Sequence, residues 1–103
     1  MLDLPLASEV RRLTSEEKQQ FRQWGYVKNL PLFDSTAAPQ LQQGFQELAA
    51  RLPQDIDISR VNNWHKASRW FYSLCRTPAI LDYVEDLLGP NFFQWGGQFF
   101  VKY

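Results

Sequence analysis

The side chains most used as catalytic bases, thiol nucleophiles and transition-metal ligands are scarce in this sequence, with one histidine and one cysteine. His65 is the only histidine. A facial iron site of two histidines and a carboxylate needs a second one. A zinc centre built mainly on His or Cys needs more than His65 and the single Cys75 supply. His65 has the chemistry of a general base, yet it sits in an aromatic stretch where packing is the simpler account. Cys75 falls on the apolar face of an expected helix, with only Arg76 near in sequence to favour a thiolate, so a structural thiol is expected. Asp55 and Asp57 form an Asp-x-Asp without the added oxygen donors and glycine of a calcium loop. They read as solvated loop acids. Gly96-Gly97 lies inside an expected strand rather than at a strand-to-helix turn, which excludes a phosphate-cradling loop.

Two further groups have a functional and a plain reading. Trp64-His-Lys-Ala-Ser-Arg-Trp-Phe-Tyr72 mixes bases with aromatics, as a single-strand RNA platform would. Ordinary helix packing, with Lys66 and Arg69 snorkelling, fits better in a chain with no wider basic surface. Gln98 and Lys102 share the polar face of the last expected strand. They either form a half-exposed strand face or look into a cavity, and alternation does not separate the two.

The elements that would position these residues can be read in order. Residues 1–13 form a flexible N-terminal arm. Thr14-Ser-Glu-Glu17 opens a helix through a capping box, and Gly25 ends it. Phe21 and Trp24 share one face of it, and Tyr26-Val27 follows as a short strand. Asp34 to Pro39 starts a second helix with the stripe Leu41, Phe45, Leu48 and Leu52, closed by Pro53. Residues 53–61 are a loop or short extended piece. The second half of Asn62–Cys75 is helical, with Trp70, Phe71, Leu74 and Cys75 on one face. Thr77 caps and Pro78 begins the next helix. Its buried side is Ile80, Leu81, Val84, Leu87 and Leu88, and Gly89-Pro90 stops it. Phe92–Tyr103 then reads as a long strand, with Phe93, Trp95, Phe99, Val101 and Tyr103 on one face. Gln94, Gln98 and Lys102 lie on the other, with Phe92 and Phe100 among them.

Length and composition bound the function. The 103 residues suffice for one domain, and 16% of them are aromatic, a heavy load for so small a core. Eleven basic residues balance eleven acidic ones, so there is no global electrostatic footprint for nucleic acid or an anionic membrane. One cysteine makes no intrachain disulfide, and neither a signal peptide nor a transmembrane run is found. A cytoplasmic location is expected.

The capped helix ending in Gln23-Trp-Gly-Tyr-Val27, the run Arg76-Thr-Pro-Ala-Ile-Leu-Asp-Tyr-Val-Glu-Asp-Leu-Leu-Gly-Pro-Asn91 and the ending Phe99-Phe-Val-Lys102 form a pattern. It resembles the N-terminal portion of the phytanoyl-CoA dioxygenase family of Fe(II)- and 2-oxoglutarate-dependent oxygenases. The resemblance implies an α+β fold: N-terminal helices plus the first strands of a double-stranded β-helix, or jelly roll, truncated. Residues 14–103 would be the N-terminal part of such a domain, incomplete at the C-terminus. The family's His-x-Asp and distant His, which hold iron, and its late Arg would all lie beyond Tyr103. The chain therefore carries neither catalytic nor metal residues and binds no cofactor alone, while the parent would hydroxylate a small molecule using Fe(II) and 2-oxoglutarate. Residue by residue, the resemblance assigns Gln98 and, more loosely, Lys66 to the 2-oxoglutarate pocket, where an amide and an ammonium suit a dicarboxylate. The other reading is a small non-catalytic helical module that pairs through its aromatic C-terminal strand. It expects self-association through Phe92–Tyr103 and neither nucleic acid nor membrane as partner.

Overall fold

The computed structural model describes residues 4–102. Helix α1 spans Ser15–Trp24. Thr14 Oγ1 accepts from the Glu17 amide at 3.1 Å, and Glu17 accepts from the Thr14 amide at 2.9 Å, so both halves of the capping box form. Gly25 closes α1 at φ 80°, its N–H donating to the Phe21 carbonyl at 2.8 Å. The left-handed conformation is what glycine supplies there.

Helix α2 spans Ala38–Ala50 and is led in by a 3₁₀ turn at Ser35–Ala37 whose cap is Asp34. Leu48 is its anchor in the core. Gly44 is buried because the Trp70 indole lies across it: a Cβ there would overlap Cζ2 and Cε2 and stand 2.7 Å from Cη2. A second 3₁₀ turn, Ile58–Arg60, is capped by Asp57 and buries Ile58.

Helices α3 (Trp64–Ala67) and α4 (Arg69–Cys75) are separated by Ser68, whose backbone is extended. Ser68 is buried, and its hydroxyl accepts from the Phe71 amide at 3.1 Å, so one residue ends α3 and caps α4. Helix α5 spans Pro78–Leu88 and ends at Gly89, φ 83°, whose N–H donates to the Glu85 carbonyl. Leu48, Ile58, Trp64 and Phe71 form the main core, with Phe45, Trp70, Phe99 and Val101 packed around it.

The segment before α1 is tied down at two places. Ala7 donates to the Leu32 carbonyl at 2.8 Å and Asp34 to the Pro5 carbonyl at 3.0 Å, around an antiparallel bridge between Leu6 and Phe33. Further on, Arg12 meets the acidic face of α5: its guanidinium lies 2.7 Å from Asp86, 3.0 Å from Asp82 and 3.2 Å from Glu85. The Leu13 amide adds a bond to Asp86 at 2.9 Å, and Leu13 itself is buried. The Arg12 guanidinium and the Leu13 amide hold the Asp86 carboxyl below its ordinary value.

The fold is helical, which corrects the α+β, jelly-roll expectation. Among the described residues the Leu6–Phe33 bridge is the only β pairing, and residues 92–102 contain no strand. Alternation and aromatic content favour extended backbone, but a strand also needs a second backbone in register, and the chain at Asn63–Trp64 meets this segment only at the Gly97 carbonyl. Tyr103 lies outside the described residues. The short strand at Tyr26-Val27 is likewise absent; the bridge forms at Phe33 instead. Thr77 holds the N-cap position of α5 but makes no side-chain cap bond: its hydroxyl donates back to the Leu74 carbonyl at 2.8 Å, finishing α4. On α5 the deepest residues are Ala79 and Tyr83, the latter donating its hydroxyl to the Pro31 carbonyl, while Leu88 is mostly exposed.

Candidate functional site

The C-terminal segment has no regular secondary structure, lies against the α3–α4 unit and is held at one main point. The Gly97 carbonyl accepts from the Asn63 amide at 2.6 Å and the Trp64 amide at 3.3 Å, satisfying donors at the start of α3. Asn63 adopts the left-handed region, φ 63°, which asparagine tolerates better than most residues. Gly97 fits closely there: a Cβ would come 2.8 Å from Phe71, 3.0 Å from Gln94 and 3.3 Å from His65 Nδ1. Beyond it, Phe99 inserts into the core. Its ring centroid lies 5.0 Å from that of Phe45, 5.1 Å from Phe71 and 6.5 Å from Trp64.

Before and after this anchor the segment turns its rings outward. Phe93 is 79% exposed, and Trp95 and Phe100 are each 87% exposed. The expected odd-numbered face therefore splits, with Phe99 and Val101 facing in and Phe93 and Trp95 facing out. Trp95, Phe100, Asn62, Asn63, Gly96, Gly97 and Gln98 bound an open groove of about 420 Å³. Side-chain amides, bare glycine backbone and two aromatic rings line it, with no ionisable group.

Compared with known proteins, the chain matches no family model, no curated protein and no solved structure.

Gln98 lines the groove, and its amide donates to the Ser59 carbonyl at 3.3 Å. Lys66 is exposed on α3 and lies outside the groove lining, so a dicarboxylate there would meet amide donors and no cation. Lys102, the other polar-face candidate, is exposed and also outside it. His65 Nδ1 is sealed from solvent without a hydrogen-bond partner, beside Gly97. Cys75 is partly buried and accepts a 3.4 Å contact from the Gln94 amide. Asp57 spends its carboxylate on the Ser59 amide and hydroxyl, at 2.8 and 2.7 Å. Iron(II) does not fit this donor set: the sequence has one histidine, and among the described residues no three His, Cys, Asp or Glu side chains are placed to hold a metal ion. No helix among the described residues is long and apolar enough to cross a membrane.

Asn62 and Asn63 escaped the sequence reading. Two adjacent asparagines between apolar residues do signal a tight backbone reversal. That the reversal meets Gly97, 34 positions later, could be known only from the fold.

Proposed function

We propose that this chain is the helical, non-catalytic part of an Fe(II)- and 2-oxoglutarate-dependent oxygenase acting on a small molecule, and that its aromatic C-terminal segment is the surface joining it to the iron-bearing part. The observation that carries the reading is the exposure of Phe93, Trp95 and Phe100 on a segment without regular secondary structure. Among the described residues that segment makes backbone–backbone hydrogen bonds only through the Gly97 carbonyl. Large rings on β-prone backbone with open hydrogen-bonding groups suit addition to another sheet. The resemblance of Arg76–Asn91 and Phe99–Lys102 supplies the chemical class. Gln98 would then offer its amide from the groove wall to a carboxylate.

The deciding experiment is to read the nucleotides after the Tyr103 codon. A His-x-Asp within about ten to twenty codons, followed later by a second His and an Arg, is the expected result, the spacing being set by fold analogy. A stop codon there sinks this reading for the natural protein. The chain alone should show no stoichiometric iron(II) complex and no conversion of 2-oxoglutarate to succinate, and either activity would overturn the assignment of the chemistry to another part. The second reading, a self-standing interaction module that pairs through the same segment, draws on the same exposed rings. A stop codon would favour it.

A further inference from the structure

We infer that the outer face of α4, with Arg69, Tyr72 and Arg76 on it and Lys66 just before it, is a binding surface for single-stranded nucleic acid, an inference independent of the oxygenase reading. The balance of eleven basic and eleven acidic residues conceals a segregation along the chain. Residues 58–81 hold four Lys or Arg side chains and no Asp or Glu, and residues 87–103 add Lys102 and again no acid. Net charge averages this away. Lys66, Arg69 and Arg76 are all exposed, and among the described residues none of them enters an ion pair.

The fold turns these charges outward together with one ring. Phe71 is buried, and Trp70, Leu74 and Cys75 pack against the same core, so that side of α4 is spoken for. Arg69, Tyr72 and Arg76 follow one another at spacings of three and four, on the other side. Arg76 Nη1 donates to the Tyr72 hydroxyl at 2.7 Å, and its guanidinium carbon stands 5.3 Å from the Tyr72 ring centroid. Of the aromatics from Trp64 to Tyr72, only Tyr72 is exposed, at 43%; Trp64 and Phe71 are buried and Trp70 lies across Gly44. Three unpaired cations suit phosphates, and a ring beside a guanidinium plane suits an unpaired base that stacks. A duplex hides its base faces in its own stack. An anionic membrane or an acidic peptide would use the charges and leave Tyr72 without a role.

Three cations place the surface among non-specific binders, with Kd on the order of 10–100 μM at about 100 mM salt. Fluorescence anisotropy of the full chain with a labelled oligouridine of about twelve nucleotides tests this. From about 50 to 200 mM salt, log Kobs should fall against log salt with a slope of about −2. Tyr72→Ala should weaken binding about fivefold or more, and Tyr72→Phe, which keeps the ring, should restore it. Arg69→Gln and Arg76→Gln should each flatten the slope by about 0.7. Arg22→Gln removes the same charge from an exposed position on α1 and should leave binding unchanged. Circular dichroism of every variant should match wild type. No binding at about 50 mM salt, wild-type binding by Tyr72→Ala, or equal losses from Arg22→Gln and Arg69→Gln overturns the inference. So does equal competition by vesicles of phosphatidylserine and phosphatidylcholine, which would mark a surface that reads charge alone. None of these results bears on the oxygenase reading, which the codons after Tyr103 decide.

Discussion

Replacing Gly97 and Gly96 by alanine in turn should give opposite results, although the two glycines are adjacent. Neither has a positive φ, so alanine suits both backbones and would restrict the unfolded chain, a gain of about 0.4–1 kcal/mol. At Gly96 the new methyl meets only the Asn63 side-chain oxygen, 3.3 Å away. At Gly97 it lies 2.8 Å from Phe71, a core ring 8% exposed, and 3.0 Å from the Gln94 amide. Moving a packed ring costs about 1–3 kcal/mol. The segment could instead lift off, but it would then expose Phe99, worth about 1.5–3 kcal/mol, break its ring contacts, about 0.5–1.5 kcal/mol each, and lose two amide bonds, about 0.5–1.5 kcal/mol each. Repacking is the cheaper route. Gly97→Ala should therefore lose about 1–2 kcal/mol net, a fall in Tm of roughly 4–16 °C for a domain of this size. Gly96→Ala should be neutral or slightly stabilised. Thermal and urea unfolding followed by circular dichroism, at concentrations low enough to hold the chain monomeric, measure both, and hydrogen exchange at the Trp64 amide reports on the anchor. Equal stability of the two variants would refute the placement of Gly97 against Phe71.

Other outcomes follow from the same geometry. Gly44→Ala, which helix propensity favours by about 1 kcal/mol, should destabilise by about 1–2 kcal/mol because the methyl overlaps the Trp70 ring; in a Trp70→Leu background the penalty should vanish, as a double-mutant cycle would show. Thr14→Ala removes the hydroxyl half of the α1 capping box and should cost about 1 kcal/mol, read as a Tm drop of about 4–8 °C. The Asp86 carboxyl lies below its ordinary value because Arg12 and the Leu13 amide bond its ionised form. Folding therefore favours the ionised carboxylate, so this stabilisation is complete above the ordinary carboxylate pKa of about 4. It is lost as pH falls through the lowered folded value. Arg12→Gln should flatten that acid limb of a stability–pH curve while leaving its neutral-to-basic shape alone.

Local chemistry made parts of this protein legible in advance. The capping box at Thr14 and Glu17, the Gly25 and Gly89 stops and the Phe45–Leu48 part of the α2 stripe rest on contacts three or four residues apart, which a sequence displays directly, whereas α2 ends at Ala50, short of Leu52. Ser68 and Thr77 were harder. Each hydroxyl can cap the following helix or bond backward, and the two differ: Ser68 accepts from the Phe71 amide ahead of it, whereas Thr77 donates back to the Leu74 carbonyl. Of the groove, Gln98 was visible as a polar-face residue, whereas Asn62 and Asn63 join it only because the chain returns across α3.

The C-terminal segment divides the two kinds of information most sharply. Its sequence determined that Phe92–Lys102 favours extended backbone and carries more apolar ring surface than a short segment can hide. The tertiary structure decided the rest: which rings are buried, that Gly97 and not Gly96 is the close contact, and that no strand forms. Backbone conformation is chosen residue by residue, but a strand is a relation between two backbones, and burial is a relation between a side chain and whatever the fold brings to it. Here the fold brings α3, Phe45 and Phe71 to Gly97 and Phe99, and leaves Phe93, Trp95 and Phe100 facing outward.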